Sequence, residues 1–468
     1  MKALFKHIGP VKDAELTLSD LTIIAGSNNT GKTYLAYTLY GSLKMLREFS
    51  VMRKRVKHLP FDLDEAANRM IHSGKAEFHI EKFEKEARQS LESFYSLSNE
   101  AISDIFGAPA DNFKGSEFLL AIDDVPKFSG RRESSVDIDM GDGETFQLSA
   151  SFEGETLSFR LLDSEWPLPS QIKWPARINA IKDMLLSVYI KLFAQKLPAP
   201  FILSAERLGI SLFYKELDFT KNRLMETFQK LKERGSKDTD SFFMLMENAS
   251  SSYAQPVKDN INYTRSLEFV QKKNSATGDE KLFGTIKDMM EGYFKYEEGG
   301  IRFVSSAAKK GKFNIPLHLA SSSARGLSDL YFFLKHVAQK DHLLIIDEPE
   351  SHLSASNQIE MARLLARCVN CGLKVLITTH SDYIIKEFNN LIMLSRNFSG
   401  KEAFLKKHSK CYGNDDYLKP EAVAAYICEK GSLTACEVDG LGLNMPHFDD
   451  AIDQINAISN TLALFVEP

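Results

Sequence analysis

The chain has little cysteine, almost no tryptophan and no excess of basic charge. Five cysteines in 468 residues are an odd number at low density, which fits reduced thiols better than a disulfide framework. Cys368-x-x-Cys371 has no second pair to complete a zinc site. A net charge of −5 argues against a uniformly basic nucleic-acid binder, although Arg53-Lys54-Arg55, Lys309-Lys310 and Lys406-Lys407 are local candidates for phosphate contact. No apolar run reaches the length of a membrane span, and Met-Lys-Ala-Leu-Phe-Lys-His is too polar for a secretory leader, so a cytoplasmic protein without membrane partners is expected. Internal repeats and low-complexity segments are missing too. Hydrophobic residues make up 43%, ample for a large core.

Against these absences stand two short segments. Gly26-Ser27-Asn28-Asn29-Thr30-Gly31-Lys32-Thr33 is a G-x-x-x-x-G-K-T loop, entered from the apolar run Leu21 to Ala25 and followed by the helix-forming run Tyr34 to Leu46. Backbone N–H groups of such a loop, with the positive end of the next helix behind them, cradle phosphates. Lys32 would reach the β- and γ-phosphates and Thr33 would give its hydroxyl to Mg²⁺; Tyr34 follows directly and belongs to the same site. The second segment, Leu343-Leu-Ile-Ile-Asp347-Glu348-Pro349-Glu350, reads as a buried parallel strand ending in acids. Asp347 would hold Mg²⁺, and Glu348 is placed to act as general base on the attacking water. ATP and Mg²⁺ are therefore the expected ligands.

Most of the chain lies between Lys32 and Asp347, which excludes the small kinases and GTPases. The expected architecture is α/β: a mixed sheet with a P-loop core and an antiparallel β subdomain, interrupted by helical insertions. Its parts are the loop segment at 1–50, a helical insertion at 51–112, a β meander returning to the head at 113–207, a helical arm at 208–298, the second head segment at 299–398, and a small α/β tail at 399–468. The meander is expected from Phe118 to Ile122, Val136 to Ile138, Thr145 to Leu148 and Thr156 to Leu161. The arm shows no sustained heptad repeat.

Three further segments take meaning from their order. Ser321-Ser322-Ser323 stands ahead of an apolar helix, where hydroxyls, N–H groups and a helix dipole can meet an anion; a plain Ser cap is the alternative. Thr378-Thr379-His380 ends the next β-branched run and offers His380 to a γ-phosphate. Ser204-Ala205-Glu206-Arg207 closes a short apolar strand; Glu206 could act through water and Arg207 could read phosphate.

In this order the motifs G-x-N-x-x-G-K-T, the serine patch, I-I-D-E-P-E-x-x-L and T-T-H resemble the stand-alone ABC-type ATPases related to the SMC and OLD families. The resemblance covers the head, about half the chain. It implies that Pro349 to Ser354 forms a loop packing against a second subunit, that His380 is the switch residue, and that the serine patch replaces L-S-G-G-Q, whose glycines and glutamine are missing here. The L-S-A-E-R segment, modest arm and short tail are similar to ATPase subunits of bacterial anti-phage defence systems of the PARIS and Septu type. That likeness implies a head-to-head homo-oligomer controlling a separate effector, a nuclease or toxin, because the tail lacks the spaced acids of a Toprim nuclease. An ATP-loaded scaffold with incidental turnover, and an SMC-like DNA-repair ATPase that binds DNA, are the competing readings. A transporter motor fits least.

Overall fold

The computed structural model describes residues 1–47, 59, 61–79, 96–121, 132–139, 145–153, 156–161, 174–194, 197–214, 253–272, 280–297, 299–306, 313–413, 416–445 and 450–465. Arg53-Lys54-Arg55, Lys309-Lys310 and the middle of the expected arm lie outside them. Two compact units emerge.

The smaller unit comprises Met1–Ala3, Gly41–Leu97 and Phe118–Ala199. Its antiparallel sheet runs, edge to edge, Lys75–His79, Thr156–Leu161, Thr145–Glu153, Arg132–Asp139. Helices Leu63–Ser73 and Trp174–Ala194 pack beside it. Asp62 starts the first helix by accepting the N–H groups of Asp64 and Glu65 at 2.8 and 3.1 Å, and Gly74 ends it at φ 66°. Phe61 meets the rings of Phe78, Phe159 and Tyr189 at 5.3 to 5.4 Å. The stretch expected as a helical insertion thus also contains a strand, Lys75–His79; its partner Thr156–Leu161 is remote in sequence, so local pattern alone gives no reason to extend it. Phe118 also leaves the expected meander, since Glu117–Ala121 pairs instead with Ser96–Leu97.

The larger unit comprises Leu4–Tyr40, Ser98–Glu117 and Pro200–Pro468. Its elements are β1 (Lys2–Ile8), β2 (Val11–Thr17), β3 (Leu21–Ala25), α1 (Lys32–Arg47), α2 (Asn99–Phe106), β4 (Pro200–Leu203), α3 (Gln255–Val270), α4 (Glu280–Met290), β5 (Gly292–Glu297), β6 (Gly300–Ser305), β7 (Phe313–Pro316), α5 (Ser322–His336), β8 (Leu343–Asp347), α6 (Ala355–Asn370), β9 (Lys374–Thr379), α7 (Asp382–Met393), β10 (Val423–Glu429) and β11 (Ser432–Cys436). The central sheet follows the order β4-β8-β9-β3-β10-β11-β2-β1. From β4 to β10 every neighbouring pair is parallel, and β3, β8 and nearly all of β9 are buried, which explains their continuous apolar runs. Strand β9 separates the loop strand from the acid strand. Ile23 pairs with Ile377 and Asp347 with Thr378, so the ends of β3, β8 and β9 come level.

Two strands at 423–436 belong to this sheet rather than to an appended tail. Val423 pairs with Leu21 and Ile427 with Ala25, placing β10 directly against the loop strand. The segment leading into these two strands is anchored ionically, Arg367 of α6 forking onto Asp416 at 2.9 and 2.6 Å, while within the head buried Arg363 of α6 meets Glu387 of α7 at 2.6 Å. Phe201 stacks on Phe333 at 4.0 Å, and Phe294, Tyr331 and Phe332 continue the core beneath β5 and β6. Among the described residues no helix is long and apolar enough to cross a membrane.

Candidate functional site

The loop between β3 and α1 can turn only because of its glycines. At Gly26, φ 150°, a Cβ would stand 2.4 Å from the Cys428 carbonyl oxygen; at Gly31, φ 106°, it would meet Val11 Cγ2 at 2.5 Å. Asn29 takes the left-handed conformation at φ 62°. Thr30 donates its hydroxyl to the Ser27 carbonyl at 3.0 Å, and Cys428 Sγ donates to the Thr30 carbonyl at 3.2 Å. Lys32 donates from Nζ to the carbonyls of Gly26 and Ser27, both at 2.7 Å. Burial lowers its pKa, opposed by the charges of Glu348, Cys428, Asp347 and Glu350.

Thr33 and Asp347 meet across 314 positions of sequence: the hydroxyl donates to the carboxylate at 3.0 and 3.2 Å. Thr378 donates to the same carboxylate from β9. Burial pushes the Asp347 carboxyl up to about 6, with help from Glu348 and Glu206, while the Thr378 and Thr33 hydrogen bonds pull it down. A hydroxyl touching an acid beside a glycine cradle is the donor set Mg²⁺ takes when it also binds phosphate oxygens and water. Thr33 and Asp347 fit that ion, and bound there it would neutralise phosphate charge.

Glu348 is held at φ 52°, a conformation that costs a non-glycine residue about 1–3 kcal/mol and marks functional turns. Its N–H reaches the Thr378 carbonyl and hydroxyl oxygens, each at 3.1 Å, and its Oε2 accepts from Ser351 at 3.1 Å. Glu350, two residues on, is buried. Its Oε1 accepts the Thr379 hydroxyl at 2.9 Å and the His380 N–H at 2.7 Å, and lies 3.1 Å from His380 Nδ1. That contact aims the half-exposed imidazole and leaves Nε2 for a ligand. From sequence alone Glu350 carries no such task; its spacing from Asp347 is the only signal.

A cavity of about 550 Å³ is lined by Asn28, Asn29, Thr30, Gly31, Lys32, Thr33, Tyr34, Glu348 and His380, with Pro10 at its edge. The structure thus brings the loop, the general-base candidate and the histidine to one space. Tyr34 is steadied by stacking on Phe106 at 4.9 Å.

Other expected residues sit elsewhere. Arg207 is buried and faces the backbone: it donates to the Asp347 carbonyl at 2.8 Å, the Glu348 carbonyl at 2.6 Å and the Ser204 carbonyl at 3.2 Å. Burial lowers its pKa, countered by Asp347, Glu350 and Glu348. The phosphate-reading geometry expected for it is replaced by a bracket on the turn carrying Glu348. Glu206 is exposed and accepts from Tyr37 of α1 at 3.0 Å. Ser321 caps α5 by accepting from Ala324 N at 3.2 Å, and Ser323 donates to the His352 carbonyl at 2.7 Å, so both hydroxyls have local work. None of Ser321, Ser322 and Ser323 is among the residues lining the cavity. Cys368 is buried in α6, and among the described residues no group of three or more His, Cys, Asp and Glu could hold a metal.

Arg207→Lys keeps the charge but loses the fork across two carbonyls. Turnover should fall about tenfold while ATP affinity changes little, because the geometry of Glu348 is altered and the loop is not. Fluorescent-nucleotide binding set beside steady-state phosphate release checks this; a parallel loss of affinity would restore the phosphate-reading role.

Residues 186–385 match the family model described as "AAA ATPase domain"; the loop at 26–33 lies outside that span. No curated protein matches. Similar solved structures include the SMC head domain from Thermotoga maritima, at 12% identity over 94% of this chain and 98% of that one with a TM-score of 0.30. The Smc head domain of Pyrococcus furiosus bound to the C-terminal domain of ScpA gives 13% identity, 98% coverage of both chains and a TM-score of 0.30. The family match covers residues 186–385, somewhat less than half of this α/β chain, and the structure places the loop, the acid pair and the histidine together at one end of its mixed sheet.

Proposed function

We propose that the protein hydrolyses ATP to ADP and phosphate with Mg²⁺, and that two copies close their heads over the nucleotide. The observation that carries this reading is the common cavity of Lys32, Thr33, Glu348 and His380. Lys32, now spent on loop carbonyls, would exchange them for phosphate oxygens. Glu348 would take a proton from water as its oxygen attacks the γ-phosphorus; the bond to the β-γ bridging oxygen breaks and ADP leaves. His380, steadied by Glu350, would hydrogen-bond the γ-phosphate. Catalysis of this kind is positioning and electrostatic stabilisation.

The second head would bring the serine patch, whose absence from this chain's own cavity leaves room for a contribution in trans. Opening and closing of such a pair would govern a separate effector, a nuclease or toxin, in the anti-phage setting suggested by the sequence resemblance. The scaffold reading differs only in making turnover incidental. Light-scattering mass with and without ATP·Mg²⁺ tests the assembly: the mass should at least double with ATP and relax as ATP is consumed. An unchanged monomer in both conditions counts against it.

A further inference from the structure

The C-terminal part of the larger unit holds two apolar surfaces of complementary charge that have no partner among the described residues. The first is a groove of about 650 Å³, lined by Met393, Leu394, Phe398, Phe404, Tyr412 and Leu441. Four of these side chains are exposed, Leu441 by 68% and Phe398 by 44%. The groove is preformed: Phe404 stacks with Tyr412 at 6.1 Å, Arg363 lies over Tyr412 at 4.7 Å, Lys401 Nζ donates to the Leu394 carbonyl at 2.6 Å, and Leu443 N donates to Asn389 at 2.8 Å. Its lip carries the exposed Asp439, which accepts from Leu441 N at 2.7 Å, with basic side chains beside it. Arg396 lies close over Gly440 at the lip, and helix α8 (Lys401–Lys407) with the turn after it adds Lys406, Lys407 and Lys410, all exposed and without an ion pair among the described residues, against one acid, Glu402.

The second surface is helix α9 (Asp450–Ala463). Every described side chain from 454 to 465 is exposed. Ile455, Ile458 and Leu462 recur at spacings of three and four, one stripe of the helix, with Phe465 in the turn just past its end, and all four are exposed by 53 to 79%. The segment carries Asp449, Asp450 and Asp453 and no lysine or arginine up to residue 468. An exposed apolar stripe rimmed by polar residues marks an interaction site.

We infer that α9 of one copy seats its Ile455/Ile458/Leu462/Phe465 stripe in the Phe398/Phe404/Leu441 groove of a second copy, with its acidic first turn toward Lys406, Lys407 and Lys410. Helix-in-groove seating on stripe anchors is a standard recognition mode. A mutual exchange of arms gives a closed twofold contact. This contact needs no nucleotide and uses no residue of the ATP cavity, so it stands or falls apart from head closure.

The experiment is mass measurement of the full chain at micromolar concentration without nucleotide. Wild type should be a dimer; Leu462→Glu with Phe465→Glu, and separately Phe398→Glu, should each weaken association at least about tenfold. These positions are exposed, so folding is not at risk. Mixing the helix variant with the groove variant should restore a heterodimer through the one intact contact. Lys406→Glu with Lys407→Glu should weaken the dimer, and Asp450→Lys with Asp453→Lys should rescue it. A wild-type monomer, a dimer indifferent to both variants, or a failure of the mixture to associate overturns the proposal, including the cases where α9 seats on its own chain or on another protein.

Discussion

Glu348→Gln is expected to lower phosphate release by about two to four orders of magnitude, the range that one positioned general base supplies. The amide keeps the shape of the side chain but cannot accept the water's proton. Binding should survive, because the loop cradle and the Thr33 and Asp347 pair do not depend on the Glu348 charge. Removing that charge should even stabilise bound ATP, since an anion facing the phosphates is lost. The strained turn at φ 52° is held by the Glu348 N–H donating to Thr378 and by the Arg207 guanidinium donating to the Glu348 carbonyl, both of which the substitution leaves alone. A variant that binds ATP, doubles its mass and fails to relax would tie Glu348 to the chemical step. A variant that still turns over at the wild-type rate would remove Glu348 from the mechanism. Retained effector capture by this variant would favour the scaffold reading.

Asp329→Asn is expected to stabilise the fold above pH 7 and not below pH 5. Asp329 on α5 is buried; its Oδ2 accepts from Thr264 at 3.0 Å, while Oδ1 has no partner. Burial pushes the carboxyl from 3.8 up to about 7, against the Thr264 hydrogen bond and the Arg207 charge, which pull it down. The folded state therefore holds the proton more tightly than the unfolded chain. Stability falls as pH rises from about 4 to about 7 and is level above, a total loss of about 4 kcal/mol. An amide has no charge to desolvate, but its NH₂ group would sit where Oδ1 now lacks a partner, costing about 1–3 kcal/mol. The net gain at pH 8 is about 1–3 kcal/mol. Denaturant unfolding of both proteins at pH 5 and pH 8 reads this directly. A wild-type stability that does not fall between those values would mean that Asp329 finds a partner or water the fold does not display.

Each element of the head that carries chemistry was legible because its pattern is local. Leu21 to Ala25 is a strand over the expected span, since its apolar run is buried on both faces. Leu343 to Asp347 and Lys374 to Thr379 follow the same rule. Glycines at 26 and 31 announced the loop because no other residue tolerates those turns. Partner choice was not legible. Lys75–His79 is short and takes its meaning from a strand at 156–161, and Arg207 carries the same charge whether it meets a phosphate or a carbonyl.

What the sequence by itself determined was the candidate residues of the site: a glycine loop with Lys32 and Thr33, the Asp347-Glu348 pair and His380, each written in residue type and short-range spacing. Only the tertiary structure decided who stands beside whom. Strand β10, from far along the chain, came to lie against the loop strand, Arg207 turned to the backbone of Asp347 and Glu348, and Glu350 took charge of His380. Those contacts join positions remote in sequence, and their energies arise from burial and hydrogen bonding that exist only once the sheet has closed around them.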